Sequence, residues 1–191
     1  MSCQTADYTL VLFGASGDLT QRKLLPAIYH LHRAKRLPDG FRLVGYARSE
    51  LDDDAFRARA DASLREYLGD GYDASNPDFV NMLFYVHGGY DDPDGYARLR
   101  ETLKCGAKNP PVYYMALPPQ TAGEVLDSFV RGLLPCEGAQ VLMEKPFGVD
   151  LKSAEHLNRQ LRQCFAESNI HRIDHYHAQD TVRTLLVFRF A

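Results

Sequence analysis

Four groups of residues along this 191-residue chain have the types and spacing for chemistry. The first is Gly14-Ala15-Ser16-Gly17-Asp18-Leu19-Thr20. Small residues there let the backbone approach a pyrophosphate, and the free N–H groups of a following helical turn receive the anion. The second is Arg48, whose planar fork can grip a phosphate by two hydrogen bonds. The third is Glu144-Lys145-Pro146-Phe147-Gly148, in which Pro146 ends a strand and aims Lys145. The fourth is His171-Arg172-Ile173-Asp174-His175-Tyr176-His177, with three histidines, an aspartate and an arginine in seven residues.

Each group also has a plainer reading. The glycine turn is not G-x-G-x-x-G, since Ser16 takes the middle place and Thr20 the last, so an ordinary strand-to-helix turn stays open. It is not a P-loop, because no Gly-Lys-Ser/Thr follows. Nor is it a G-x-S-x-G elbow that would make Ser16 a nucleophile. Arg48 is either a phosphate reader or a solvated strand end, and Lys145 is either a site residue or half of a surface ion pair. His175 and His177 lack the further ligands of a zinc site. Anion binding suits His175, Tyr176 and their neighbours better, with a buried polar cluster as the alternative.

These groups need a scaffold that gathers them. Thr9–Phe13 is a continuous apolar run, the mark of a strand buried on both faces. Asp18 reads as the N-cap of a helix carrying Leu24, Leu25, Ile28, Tyr29 and Leu31 at helical spacing. Strands follow at Phe41–Arg48, Met82–Val86, Val112–Leu117 and Gln140–Met143. Helices alternate with them at Asp52–Leu68 (capped by Ser49), Pro93–Lys104, Gln120–Leu133 (punctuated by Gly138) and Leu151–Phe165 (capped by Asp150). Gly69–Pro77 is a polar loop. The pattern predicts an α/β fold, a doubly wound, mostly parallel sheet with helices on both faces. Ligands of such sheets sit outside the carboxyl ends of the strands, where Gly14–Asp18, Arg48, Gly88–Asp92, Leu117–Pro119 and Glu144–Gly148 collect, while the histidine cluster lies in a last segment that breaks the rhythm. An arginine ending the second strand, where an acid would bind a ribose 2′-hydroxyl, points to NADP over NAD.

Composition bounds the alternatives. At 45% hydrophobic and 25% charged residues, with a net charge of −3, the chain has no basic stripe for nucleic acid and no apolar run of membrane-spanning length. The N-terminus has no signal-peptide pattern. Cys3, Cys105, Cys136 and Cys164 are scattered, which favours reduced thiols in a cytoplasmic protein.

In order and spacing, GASGDLTQRKLLPAIYHL, VGYARS, MEKPFG and RIDHY followed by TVRTLLVFRFA resemble the coenzyme domain of the glucose-6-phosphate dehydrogenase family. YVHGGYDD and YYMALPP are similar to its third and fourth strands. The resemblance runs from Tyr8 to the last residue. It implies oxidation of glucose 6-phosphate to 6-phosphogluconolactone by hydride transfer to NADP, a step of glucose metabolism through the pentose phosphate pathway. Gly14, Ser16, Gly17, Asp18 and Leu19 would shape the cofactor turn and Arg48 would meet the 2′-phosphate. Tyr90, Ala116, Leu117 and Pro118 would lie along the cofactor. Lys145 would touch cofactor and sugar, with Pro146 in a cis peptide. Asp174 would orient the catalytic histidine, while His175 and Tyr176 hold the substrate phosphate. Gln179 stands where the family has a phosphate-binding lysine.

On this resemblance residues 1–170 form the dinucleotide-binding domain, and 171–191 a substrate segment leading to a second, β-rich domain absent from the chain. That domain carries the general base, so the chain alone is expected to be inactive. It is also expected to mediate homo-oligomerisation of a full-length form. The rival expectations are a stand-alone NADP(H)-binding or regulatory module and, less favoured by the strand-end residues, an interaction domain without cofactor.

Overall fold

The structure, a computed structural model, describes residues 8–104 and 109–173. The first apolar run forms β1 (Tyr8–Phe13). It is joined by β2 (Phe41–Ala47), β3 (Leu83–His87), β4 (Val112–Met115), β5 (Gln140–Met143) and β6 (Ile170–Arg172). The strand order is β3-β2-β1-β4-β5-β6, with every pairing parallel. Parallel neighbours need long crossovers, and helices supply them. They are α1 (Leu25–Arg33), α2 (Asp53–Leu68), α3 (Asp78–Asn81), α4 (Pro93–Lys104), α5 (Pro119–Val130) and α6 (Leu151–Cys164).

Alternation along the strands divides the apolar residues into two cores. Leu12, Leu43, Ala47, Leu83 and Tyr85 pack with Leu25 and Tyr29 of α1 and with Phe56, Ala60 and Leu64 of α2. Val11, Phe13, Val44, Tyr113, Met115 and Val141 pack with α4, α5 and α6 through Leu99, Val125, Phe129 and Leu161. Each fully buried Val, Leu, Phe or Met side chain among them contributes about 1.5–3 kcal/mol. On the second face Phe129 meets Tyr113 edge-on at 4.7 Å between centroids and Phe165 at 5.2 Å. The sheet is thus covered on both sides, as the doubly wound reading requires.

Several local expectations are corrected. Asp18 is not an N-cap: it is already helical, and its carboxylate lies 3.5 Å from Arg22 one turn on. Ser49 does not cap α2, because Asp52 does, accepting from the Ala55 N–H at 2.8 Å. Gly132, not Gly138, stops the helix after β4. At φ +72° it turns the chain left-handed, and Leu133 N–H donates back to the Ser128 carbonyl at 2.9 Å. The first helix is also not uniform. Its opening turns, Thr20–Leu24, are π-helical. Pro26 explains this, since it has no N–H for the carbonyl four residues back and its ring would clash there. Asp150 does cap α6, through a reciprocal bond with Ser153.

The sequence reading also lacks α3 and β6. Ile170-His171-Arg172 is too short and polar to show a period, yet it pairs in parallel with Val141–Met143 and extends the sheet. The cysteines are less scattered than their spacing implies. Cys136 and Cys164 pack on the same core, and burial together with the neighbouring Cys136 pushes the Cys164 thiol up to about 11.

Candidate functional site

The sheet reverses its winding between β1 and β4, and a cleft of about 400 Å³ opens there at the strands' carboxyl ends. One wall is the glycine turn. Gly14 sits at φ +80°, and a Cβ on it would run into the Ala116 carbonyl oxygen. Only glycine lets the turn lie this close to β4. Its N–H donates to the Tyr46 carbonyl at 3.0 Å, which ties the turn to β2.

Two buried side chains brace the turn from behind. Thr20 Oγ1 donates to the Gly14 carbonyl at 3.0 Å and Gln21 Nε2 to the Ala15 carbonyl at 3.1 Å. Ser63 of α2 donates to the Gln21 carbonyl at 2.7 Å. The turn's carbonyls are therefore held from within, and its outer face is left to the cleft.

The floor comes from β2. Arg48 follows Ala47 and lies over the Tyr90 ring, 5.7 Å from its centroid. Ser49 Oγ donates to Ser16 Oγ at 2.9 Å, closing the gap between strand end and turn. Tyr85 OH is 2.8 Å from the Ser49 carbonyl and 3.2 Å from that of Ala47. Burial pushes its pKa up to about 12, so it remains a donor. Tyr90 is held by its loop, because Tyr46 OH donates to the Gly89 carbonyl at 2.7 Å and Tyr96 OH to that of Tyr90 at 2.7 Å. Burial raises the Tyr90 phenol above its ordinary range, against the pull of Arg48. The far wall is Ala116, Leu117 and Pro118, with Thr121 from the first turn of α5.

Of the residues singled out in the sequence, Gly14, Ser16, Gly17, Arg48, Tyr90, Ala116, Leu117 and Pro118 line this one cleft. Asp18 and Leu19 do not; they begin the helix with exposed side chains. Lys145 is also outside the lining, exposed at the end of β5. The Lys145–Pro146 peptide is cis. Beside it, Tyr114 OH donates to the Glu144 carboxylate, and burial with that carboxylate keeps the phenol well above the usual tyrosine range. Arg172 of β6 covers Phe147 at 5.2 Å from the ring centroid. Asp174, His175, Tyr176 and Gln179 lie outside the described residues.

A family model described as "Glucose-6-phosphate dehydrogenase, NAD binding domain" matches residues 11–184, most of the chain. The chain belongs to that family. A glucose-6-phosphate 1-dehydrogenase from Cyberlindnera jadinii is 36% identical over 189 residues, covering 95% of this chain and 37% of the relative. Glucose-6-phosphate 1-dehydrogenase 6, cytoplasmic, from Arabidopsis thaliana is 34% identical, covering 98% of this chain and 39% of the relative. A solved glucose-6-phosphate dehydrogenase in complex with its substrate glucose 6-phosphate superposes on the whole chain, with a TM-score of 0.79 and 34% identity over 41% of its own length. The chain thus spans about two fifths of the relatives it matches. Membership indicates a nicotinamide dinucleotide as the cofactor class of the domain. No helix among the described residues is long and apolar enough to cross a membrane.

The sequence reading placed Thr20 in the motif but missed its role as a brace, and it missed Ser49, Gln21 and Thr121 as parts of the site, and Arg59 as a contact of the turn. Arg59 of α2 donates through Nη2 to the Ser16 carbonyl at 2.8 Å. The Thr-Gln pair directly after G-A-S-G-D-L was a usable signal. The others reach the site only through the fold.

Proposed function

We propose that this chain is the NADP-binding portion of a cytoplasmic glucose-6-phosphate 1-dehydrogenase. That enzyme oxidises glucose 6-phosphate to 6-phosphogluconolactone. The observation that carries the cofactor preference is the position of Arg48, which ends β2 beside the cleft and lies over Tyr90. A ribose 2′-hydroxyl would favour an acid there, whereas a 2′-phosphate favours the guanidinium. The space that a Cβ on Gly14 would fill suits the close approach of a pyrophosphate.

When bound, NADP supplies the hydride acceptor. The chain's own residues bind and orient. The glycine turn, braced by Thr20 and Gln21, gives the phosphates room to approach, and the N–H groups of the helix that begins at Asp18 would receive them. Tyr90 and Leu117 exclude water from the cleft. Lys145 would bridge cofactor and sugar oxygen from the end of β5. Asp174 would orient the catalytic histidine, with His175 and Tyr176 holding the sugar phosphate and Gln179 beside them. The solved relative in complex with glucose 6-phosphate supports that substrate class.

Calorimetry with both cofactors tests the reading. NADP should bind more tightly than NAD, and Arg48→Ala should remove roughly ten- to hundredfold of NADP affinity, the scale of about 1.5–3 kcal/mol for hydrogen bonds to a charged group. Equal affinities in the unmutated chain would sink the preference.

A further inference from the structure

We propose that Arg59 is a second specificity-determining cation of the cleft, engaged by a phosphomonoester on the ribose and indifferent to a bare ribose hydroxyl. The inference rests on the NADP reading above and adds a residue to it. Ser16 and Ser49, which both line the cleft, touch hydroxyl to hydroxyl at 2.9 Å. Arg48 precedes Ser49 in sequence. From the opposite side, Arg59 reaches Ser16 through the 2.8 Å bond to its carbonyl. Arg48, over the Tyr90 ring in the cleft lining, and Arg59, bonded to the Ser16 carbonyl, therefore each adjoin one member of the serine pair, the first through the chain and the second through a hydrogen bond.

The surroundings of Arg59 indicate a cation kept for a ligand. Arg57, two residues earlier, is paired with Asp54 at 3.0 Å and approached by Asp53 at 3.9 Å. Among the described residues no carboxylate pairs with Arg59. The side chain is exposed, and its one hydrogen bond uses one of the five N–H donors in the fork. Anchoring α2 against the turn does not require it, because Ser63, one helical turn on, makes that buried bond to the Gln21 carbonyl at 2.7 Å. The Ser16 carbonyl accepts from Arg59 while the guanidinium keeps other donors for an anion at the serine pair. A dianionic phosphate is drawn to such a charge far more strongly than a hydroxyl is.

The test is calorimetry on the 191-residue chain and on Arg59→Gln and Arg59→Lys. The titrants are NADP, NAD and adenosine 2′,5′-bisphosphate. Arg59→Gln should weaken NADP and the bisphosphate by roughly tenfold and change NAD by less than twofold. Arg59→Lys, which keeps charge but loses the fork, should fall between. The salt dependence of NADP binding should also flatten in Arg59→Gln, since one fewer cation meets the phosphate. Unchanged NADP affinity overturns the proposal. So does an equal loss for NADP and NAD, which would make Arg59 only a brace for the turn. Thermal unfolding followed by circular dichroism checks independently that each variant folds. Failure of the NADP reading itself would look different: the unmutated chain would bind NAD as tightly as NADP before any variant was tested.

Discussion

The two ends of the strand-end surface are built differently. At the β1–β2 end the carbonyls of the glycine turn are held by buried bonds from Thr20 and Gln21, and Ser63 in turn holds the Gln21 carbonyl. At the β5–β6 end the strands are four and three residues long, and exposed side chains tie them in. Arg172 reaches Asn158 at 2.6 Å and Glu167 at 3.1 Å, and His171 Nε2 lies 3.0 Å from Gln140 Oε1. A buried polar bond is costly to break, because the abandoned partner stays dry, while an exposed one is replaced by water. The β1–β2 end of the cleft is therefore set by the domain's own core. The end bearing Lys145 hangs on a solvated edge.

The strongest way to break this comparison is to put the same residue into both ends. Gly14→Ala strains a φ of +80° and drives a Cβ into the Ala116 carbonyl. It should cost at least about 2 kcal/mol in urea unfolding and abolish measurable NADP binding. Gly148→Ala meets a similar strain at φ +83°, against the first turn of α6. It should lower stability on the same scale but leave NADP affinity within about threefold, the size of an indirect effect of roughly 0.6 kcal/mol. Comparable loss of cofactor affinity in both variants would erase the distinction.

A smaller effect sharpens it. Tyr46→Phe removes the part-buried bond to the Gly89 carbonyl and little else, since the ring still stacks on Tyr96. About 1 kcal/mol of stability should go. NADP affinity should drop severalfold as the loop holding Tyr90 loosens, while the melting behaviour of β6 is untouched. Heteronuclear NMR on the Gly88–Tyr90 amides would show whether the loss is local.

The smallest effect concerns acid. Bonds from Arg162 first, and Arg172 next, hold the Glu167 carboxyl below the usual carboxylate range. A depressed folded value means the contribution is present above the ordinary range and lost as pH falls through it. Amide protection across β6, corrected for the intrinsic exchange rate at each pH, should therefore fall on acidification before that across β2 does. Glu167→Gln should leave β6 weakly protected at every pH, with no such response. A β6 that keeps its pH response in the variant would mean that other groups hold the edge.

This contrast also explains what could be read from the sequence. The first five strands and the long helices follow from apolar periodicity, which is local information. Gly14, Arg48 and Ala116–Pro118 are legible because they punctuate the strands. Ser49 and Arg59 are not, since they meet Ser16 across 33 and 43 residues of chain, and no short window contains both partners. The π-helical turn before Pro26 was legible in principle, because a proline inside a helical pattern must disturb the turn ahead of it. β6 was not: three residues with two exposed polar side chains carry no pattern, and only the neighbouring Val141–Met143 makes them a strand.

The closeness of Gly14 to Ala116 also bears on synthesis. Tyr8 of β1 pairs with Phe41, but Leu10 pairs with Val112, so the far wall of the cleft is added to β1 only after α4 has been made. A nascent chain that has left the ribosome as far as β3 carries every residue of the glycine motif and its β2 floor. It has none of the surface that Ala116, Leu117, Pro118 and Thr121 supply. For that interval the most recognisable sequence in the chain faces open water across a cleft with one wall. The motif is written early and becomes a site late.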